Sequence, residues 1–112
     1  MSEDESTEPA NEVRLAGRVT GAPAQRTLPS GDEILTFRIS VPRTRTPMTA
    51  RSKQSVDWVE CVAWSARARR TVARWAVGEQ VLVRGALRRR HYRVASGPQT
   101  RLEVEVLEAR RA

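Results

Sequence analysis

Three aromatic side chains and a set of arginines are the residues of this chain whose types and spacing could do chemistry. Trp58 and Trp64 lie six residues apart within an alternating apolar stretch, so both rings project from the same face of a strand. Glu60 falls between them on that face and turns it toward solvent, while Val59, Cys61 and Ala63 on the other face supply a core. Arg84, Arg88, Arg90 and Tyr92 share one face of a later strand, opposite Val81, Val83, Gly85 and Leu87. Guanidinium groups follow phosphates and a flat ring stacks on a base, the two parts needed to hold a single nucleic-acid strand. Arg38 on a second strand extends the basic set, as do Arg43, Arg45, Arg51 and Lys53 in the acid-free connection 42–54. The competing readings are core packing for the tryptophans and a charged face that resists aggregation for the arginines. Their coincidence favours binding. Trp75 is different: at helical spacing from Ala68 and Val72 it reads as a core plug.

Composition removes most catalytic readings. One Cys and one His allow no disulfide, zinc knuckle or His cluster within one chain. Neither Gly-x-Gly-x-x-Gly nor Gly-x-Ser-x-Gly occurs, and Lys53 follows Ser52 where a phosphate loop needs Gly. Cys61 reads as a small buried hydrophobe and His91 as a solvated or interface residue. The expectation is a protein that is not an enzyme and needs neither metal nor cofactor.

Charge points to the partner. Of 112 residues, 20 are Lys or Arg and 13 Asp or Glu, and five of the acids precede the first base. Residues 13–112 thus carry 20 bases against 8 acids, a field that selects a polyanion. The longest run of consecutive hydrophobic residues is Cys61 to Trp64, far from the ~20 of a membrane span. With an acidic rather than basic N-terminus, a soluble cytoplasmic protein is expected, with no membrane partner.

Strands and one helix position these side chains. Residues 1–11 read as a disordered acidic tail and 12–109 as the single folded domain. Val13, Leu15, Gly17 and Val19 alternate with polar or small residues, with Gly17 marking a bulge or bend. Residues 21–33 read as a loop, 34–41 as a second strand, 42–54 as a long mobile loop and 55–64 as a third strand. Ser65 caps a helix over 66–76 that Gly78 ends. A fourth strand over 80–93, interrupted by Gly85, joins a fifth over 99–107 across Ser96-Gly97-Pro98. Strands joined by loops before the helix exclude α/β, leaving an all-β five-stranded barrel with one helix between strands three and four, the order of the OB-fold.

These residues resemble the bacterial single-stranded DNA-binding proteins. The match runs through Asn11-x-Val13-x-Leu15-x-Gly17-Arg18-Val19-Thr20, Pro23, Arg26, Ser30-Gly31, Phe37-x-Ile39-x-Val41 and Trp58-x-x-Cys61-Val62-Ala63-Trp64. It continues in Gly78-x-x-Val81-x-Val83-x-Gly85-x-Leu87, Arg88-x-Arg90-x-Tyr92 and Gly97, covering about residues 11–107. The resemblance implies an OB-fold, a homo-oligomer with a tetramer favoured over a dimer, and sequence-independent wrapping of single-stranded DNA. It implies roles in replication, recombination or repair near the nucleoid, and it places Trp58, Trp64 and Tyr92 on the family's stacking aromatics. Ser65 and Arg69 depart from the usual Gly and Glu, the loop 42–54 lacks an aromatic, and the sequence ends at Arg110-Arg111-Ala112 without an acidic tip. That ending implies a short paralogue, a primosomal-type relative or a trimmed form, with reduced recruitment of repair and replication enzymes. An RNA-binding accessory module and a protein-interaction scaffold are the alternatives.

Overall fold

Residues 8–112 are described by the computed structural model, so most of the acidic tail expected over 1–11 lies outside the described residues. The elements are β1 (Val13–Thr27), β2 (Glu33–Pro42), β3 (Val56–Ala63), α1 (Ala66–Val72), β4 (Gln80–Val94) and β5 (Gly97–Arg111). The strands close into one barrel in the order β1-β2-β3-β5-β4. β1 serves two neighbours: Val13 to Arg18 pair with β4, and from Arg18 onward the strand pairs with β2. A short parallel contact, Cys61 with Val104 and Val62 with Glu105, joins β3 to β5 and completes the closure.

Alternation decides what is inside. Phe37 and Ile39 of β2, Cys61 and Ala63 of β3, Val81 and Val83 of β4, and Val104 and Val106 of β5 form the core with Val19. Burying each of the larger aliphatic side chains contributes on the order of 1.5–3 kcal/mol. The helix plugs this core with Ala68 and Val72, and Trp75 meets Phe37 edge-on at a centroid distance of 5.5 Å. Ser65 caps the helix as expected, its hydroxyl accepting from Ala68 N–H at 3.1 Å. Two glycines are fixed by close approach. A Cβ on Gly17 would lie 2.2 Å from the Ser40 carbonyl oxygen, and one on Gly85 would lie 1.7 Å from that of Glu105.

Several boundaries differ from the sequence reading. The segment 21–33, expected as a loop, continues β1 to Thr27. Register irregularities between Val19 and Gly21 and between Gly21 and Ala24 accommodate Pro23 without ending the strand. They sit beyond Gly17, where the sequence had placed the bulge. The true turn spans Leu28 to Asp32 and is closed by Leu28 N–H to Asp32 O at 2.8 Å, with Gly31 at φ 92°. The helix stops at Val72 rather than near Ala76, because Arg74 and Trp75 N–H groups bond back three residues, to Thr71 and Val72 carbonyls. That tighter turn throws Trp75 inward and leaves Ala76 exposed. Gly78, at φ 96°, therefore does not cap α1; its N–H bonds to Val19 O at 2.8 Å and ties the connection to β1. β5 runs on to Arg111, and the β4–β5 pairing starts at Val94 with Gly97. Leu87, expected on the core side, lies beyond the last β1–β4 pair, Val13 with Gly85, and is exposed. The loop expected to be mobile is built on a hydrogen-bonded turn in which Thr49 Oγ1 donates to Thr44 O at 2.7 Å and accepts from Thr46 N–H at 2.8 Å.

Candidate nucleic-acid interface

Cross-strand pairs carry one face of the sheet across β2, β3, β5 and β4, with Val62 and Glu103 buried within it. Arg38 stands opposite Glu60, Ser40 opposite Trp58, Val62 beside Glu105, and Arg88 opposite Glu103. Residues paired across a ladder share a face. The ladder thus places Trp58, Arg38, Arg88, Arg90 and Tyr92 on one face, with Trp64 next to it beyond Ala63. Trp58 is 64% exposed, and Trp64, one residue past β3, is half-buried. Arg84 lies at the other end of β4 from Tyr92, and Arg43, Arg45, Arg51 and Lys53 stand on the loop that joins β2 to β3.

The arginines are not free. Arg38 Nε donates to Glu60 at 2.7 Å, Arg43 Nε to Asp57 at 2.8 Å and Arg88 Nε to Glu105 at 3.0 Å. Arg84 lies 3.5 Å from Glu108 and 3.9 Å from Glu12. Arg90 grips Glu103 through two bonds, at 2.6 and 3.2 Å. Among the described residues only Arg45, Arg51 and Lys53 of this basic set make no ion pair.

Glu103 differs from the other carboxylates in that its side chain is only 1% exposed. A carboxylate that deep is held by its cation, and removing one partner of such a pair costs about 3–5 kcal/mol. The same hydrogen bond raises the Arg90 pKa above the ordinary arginine value, with burial opposing it. Arg90 is therefore a structural cation first. Cys61, on the inner side of the sheet, has its thiol pushed up to about 12 by burial, then by the charges of Glu60 and Glu103. A thiol so disposed is no nucleophile at neutral pH.

Tyr92 carries company of its own. The guanidinium carbons of Arg90 and Arg101 lie 5.7 and 5.5 Å from its ring centroid, within cation–π range. A base reaching Tyr92 meets Arg101 as well, and guanidinium planes also stack on bases. Arg101 was missed in the sequence, as were Glu103 and Glu105 as arginine partners. Counting outward from the β4–β5 turn would have found them. Directly opposed pairs are Arg88 with Glu103 and Arg90 with Arg101, while the ion pairs follow the diagonal, Arg88 with Glu105 and Arg90 with Glu103.

Comparison with known proteins fits this geometry. The sequence pattern of the Single-strand binding protein family matches residues 10–111. The chain belongs to that family. Among curated family members, Single-stranded DNA-binding protein 1 of Staphylococcus aureus (strain COL) is 34% identical over 87 residues, covering 78% of this chain and 51% of the relative. Single-stranded DNA-binding protein A of Bacillus subtilis (strain 168) is 32% identical over 87 residues, covering 78% of this chain and 49% of the relative. The chain spans about half the length of these curated relatives. A solved structure described as Plasmodium falciparum SSB complex with ssDNA superposes with a TM-score of 0.71 at 22% identity, covering 96% of this chain and 97% of that one. That likeness establishes the shared barrel.

Proposed function

We propose that this protein binds single-stranded DNA without sequence preference and without chemistry, protecting the strand during replication, recombination or repair. The observation that carries the reading is Trp58, a large ring left 64% exposed on a barrel face that also carries arginines. Burying so much aromatic surface against a base is favourable, and duplex DNA offers no base face to bury it on. Trp64 and Tyr92 extend the stacking surface, with Arg101 beside Tyr92. Arg45, Arg51 and Lys53 meet phosphates directly. Arg38, Arg43, Arg84, Arg88 and Arg90 meet them only where a phosphate takes the place of a carboxylate. Such an exchange adds little net neutralisation.

The chain acts as a homo-oligomer, a tetramer in preference to a dimer, in the cytoplasm. Exposed Leu87, Leu102 and Leu107 supply apolar surface for subunit contact. No described helix is long and apolar enough to cross a membrane.

Titration with oligo-dT followed by intrinsic tryptophan fluorescence tests the reading. Quenching is expected from Trp58 and Trp64, with the buried Trp75 as an unresponsive background. For a dT oligomer of about 12 nucleotides, within the span of one OB fold, the slope of log K against log salt should be about 3, for the unpaired Arg45, Arg51, Lys53 and Arg101, and not the about 6 expected if the five paired arginines counted as well. Equal affinity for duplex DNA, or unquenched fluorescence, refutes the proposal.

A further inference from the structure

On the helix side of the barrel, α1 and its following turn gather arginines of another kind. Arg67, Arg70 and Arg74 line one concavity of about 310 Å³ together with Thr71, Trp75 and Arg111. Among the described residues Arg67, Arg70 and Arg74 make no ion pair. Arg69, on the same helix, shows that partners are within reach of α1: it bonds Glu33 at 3.3 Å and Trp64 O at 3.1 Å. Arg111 is likewise held by Glu79 and by the Arg74 carbonyl.

Helix stability does not explain the three free cations. Arg70, in the last turn, complements the helix dipole, but Arg67 stands in the first turn, where no acid is present and a cation opposes the dipole. Arg67 and Arg70 are also three apart, so two like charges face each other along the helix. Both features cost stability in the free protein and are relieved by a bound polyanion. Arg67 and Thr71 also line a larger groove of about 500 Å³, bordered by Arg14, Arg84 and Arg110 and by the acid Glu108.

We infer that α1 carries a second phosphate-binding track, Arg67-Arg70-Arg74, which takes a further segment of the same single strand after it leaves the tryptophan face. The inference rests on the reading that single-stranded DNA is the partner. It assigns the two faces different work: one stacks bases through rings set among paired charges, the other neutralises phosphates with unpaired ones. A free cation releases counterions on binding, so this track supplies the more salt-sensitive part of affinity.

Two measurements on the intact protein test it. The first is modification by phenylglyoxal, read residue by residue by mass spectrometry, with and without a dT oligomer of about 60 nucleotides, several times the span of one OB fold. Arg67, Arg70 and Arg74 should react freely in the unbound protein and be protected at least fivefold by the oligomer. Reactivity that is unchanged by the oligomer overturns the inference. So does protection already complete in the unbound protein, which would mean that another copy of the chain covers α1. The second uses the variant Arg67→Gln/Arg70→Gln/Arg74→Gln. Its salt slope for the long oligomer should fall by about 2, with tryptophan quenching by the short oligomer unchanged. Slopes that match the parent protein overturn the track. Quenching by the short oligomer reports Trp58 and Trp64, because Trp75, although it borders the concavity, is only 5% exposed, whereas protection reports α1, so failure of the stacking reading and failure of this one give different results.

Discussion

The sheet face and the helix face of this barrel are both rich in arginine, yet they present opposite electrostatics. On the sheet, Arg38, Arg84, Arg88 and Arg90 are each matched to a carboxylate, one of them almost fully buried. On α1, Arg67 and Arg70 have no such match among the described residues. A cation count treats the two alike. What separates them is whether binding a phosphate must first break an existing pair, and this sets salt sensitivity and tolerance to substitution.

Substitution should separate the faces most sharply. Arg90→Ala strands the buried Glu103 and should destabilise the fold by about 3–5 kcal/mol in urea melts. A stability within 1 kcal/mol of the parent would break the distinction, because it would mean that Glu103 is not held by its partner. Trp58→Ala comes next: oligo-dT affinity should drop by about 1–3 kcal/mol, the usual range for one stacked base, with the melting temperature nearly unmoved. A smaller but specific effect belongs to Cys61. Its thiol, raised from 9.0 to about 12 in the fold, stays protonated where the unfolded chain ionises. The contribution is complete below pH 9 and is lost as pH rises toward 12, at ~1.4 kcal/mol per pH unit. Urea midpoints measured across that interval should decline more steeply for the parent than for Cys61→Ala, and parallel curves would show that burial does not act on the thiol. The smallest change is expected at α1, where Arg67→Ala should alter stability by no more than about 0.5 kcal/mol, in contrast to Arg90→Ala.

The barrel was legible because its strands alternate cleanly, and Val81-x-Val83 or Phe37-x-Ile39 can face only one core. Strand ends were less so. Pro23 and Ser30-Gly31 read together as one loop, but irregular pairing at Gly21 absorbs the proline inside β1, and only Ser30-Gly31 makes a turn. Helical periodicity carried Trp75 correctly into the core and its helix too far, since a tightened turn keeps the ring inward after the helix has ended. At the interface, residue types and faces were readable, but pairing was not. Whether Arg88 meets Glu103 or Glu105 depends on a diagonal, and where the β4–β5 ladder slips depends on the shift between Arg84 and Gly85. Net charge sets the sign of the field without revealing which cations are already engaged.

Gly17 and Gly85 lie where two carbonyl oxygens occupy the space of a side chain, Ser40 against β1 and Glu105 against β4. Slide either strand by one residue and a Cβ from Ala16, Arg18, Arg84 or Ala86 must enter that space. The two glycines therefore work as a key. They admit one alignment of β1 and β4 and reject its neighbours sterically, so the β4 face that carries Arg84, Arg88 and Arg90 cannot be turned inward by a slipped but otherwise well-paired strand.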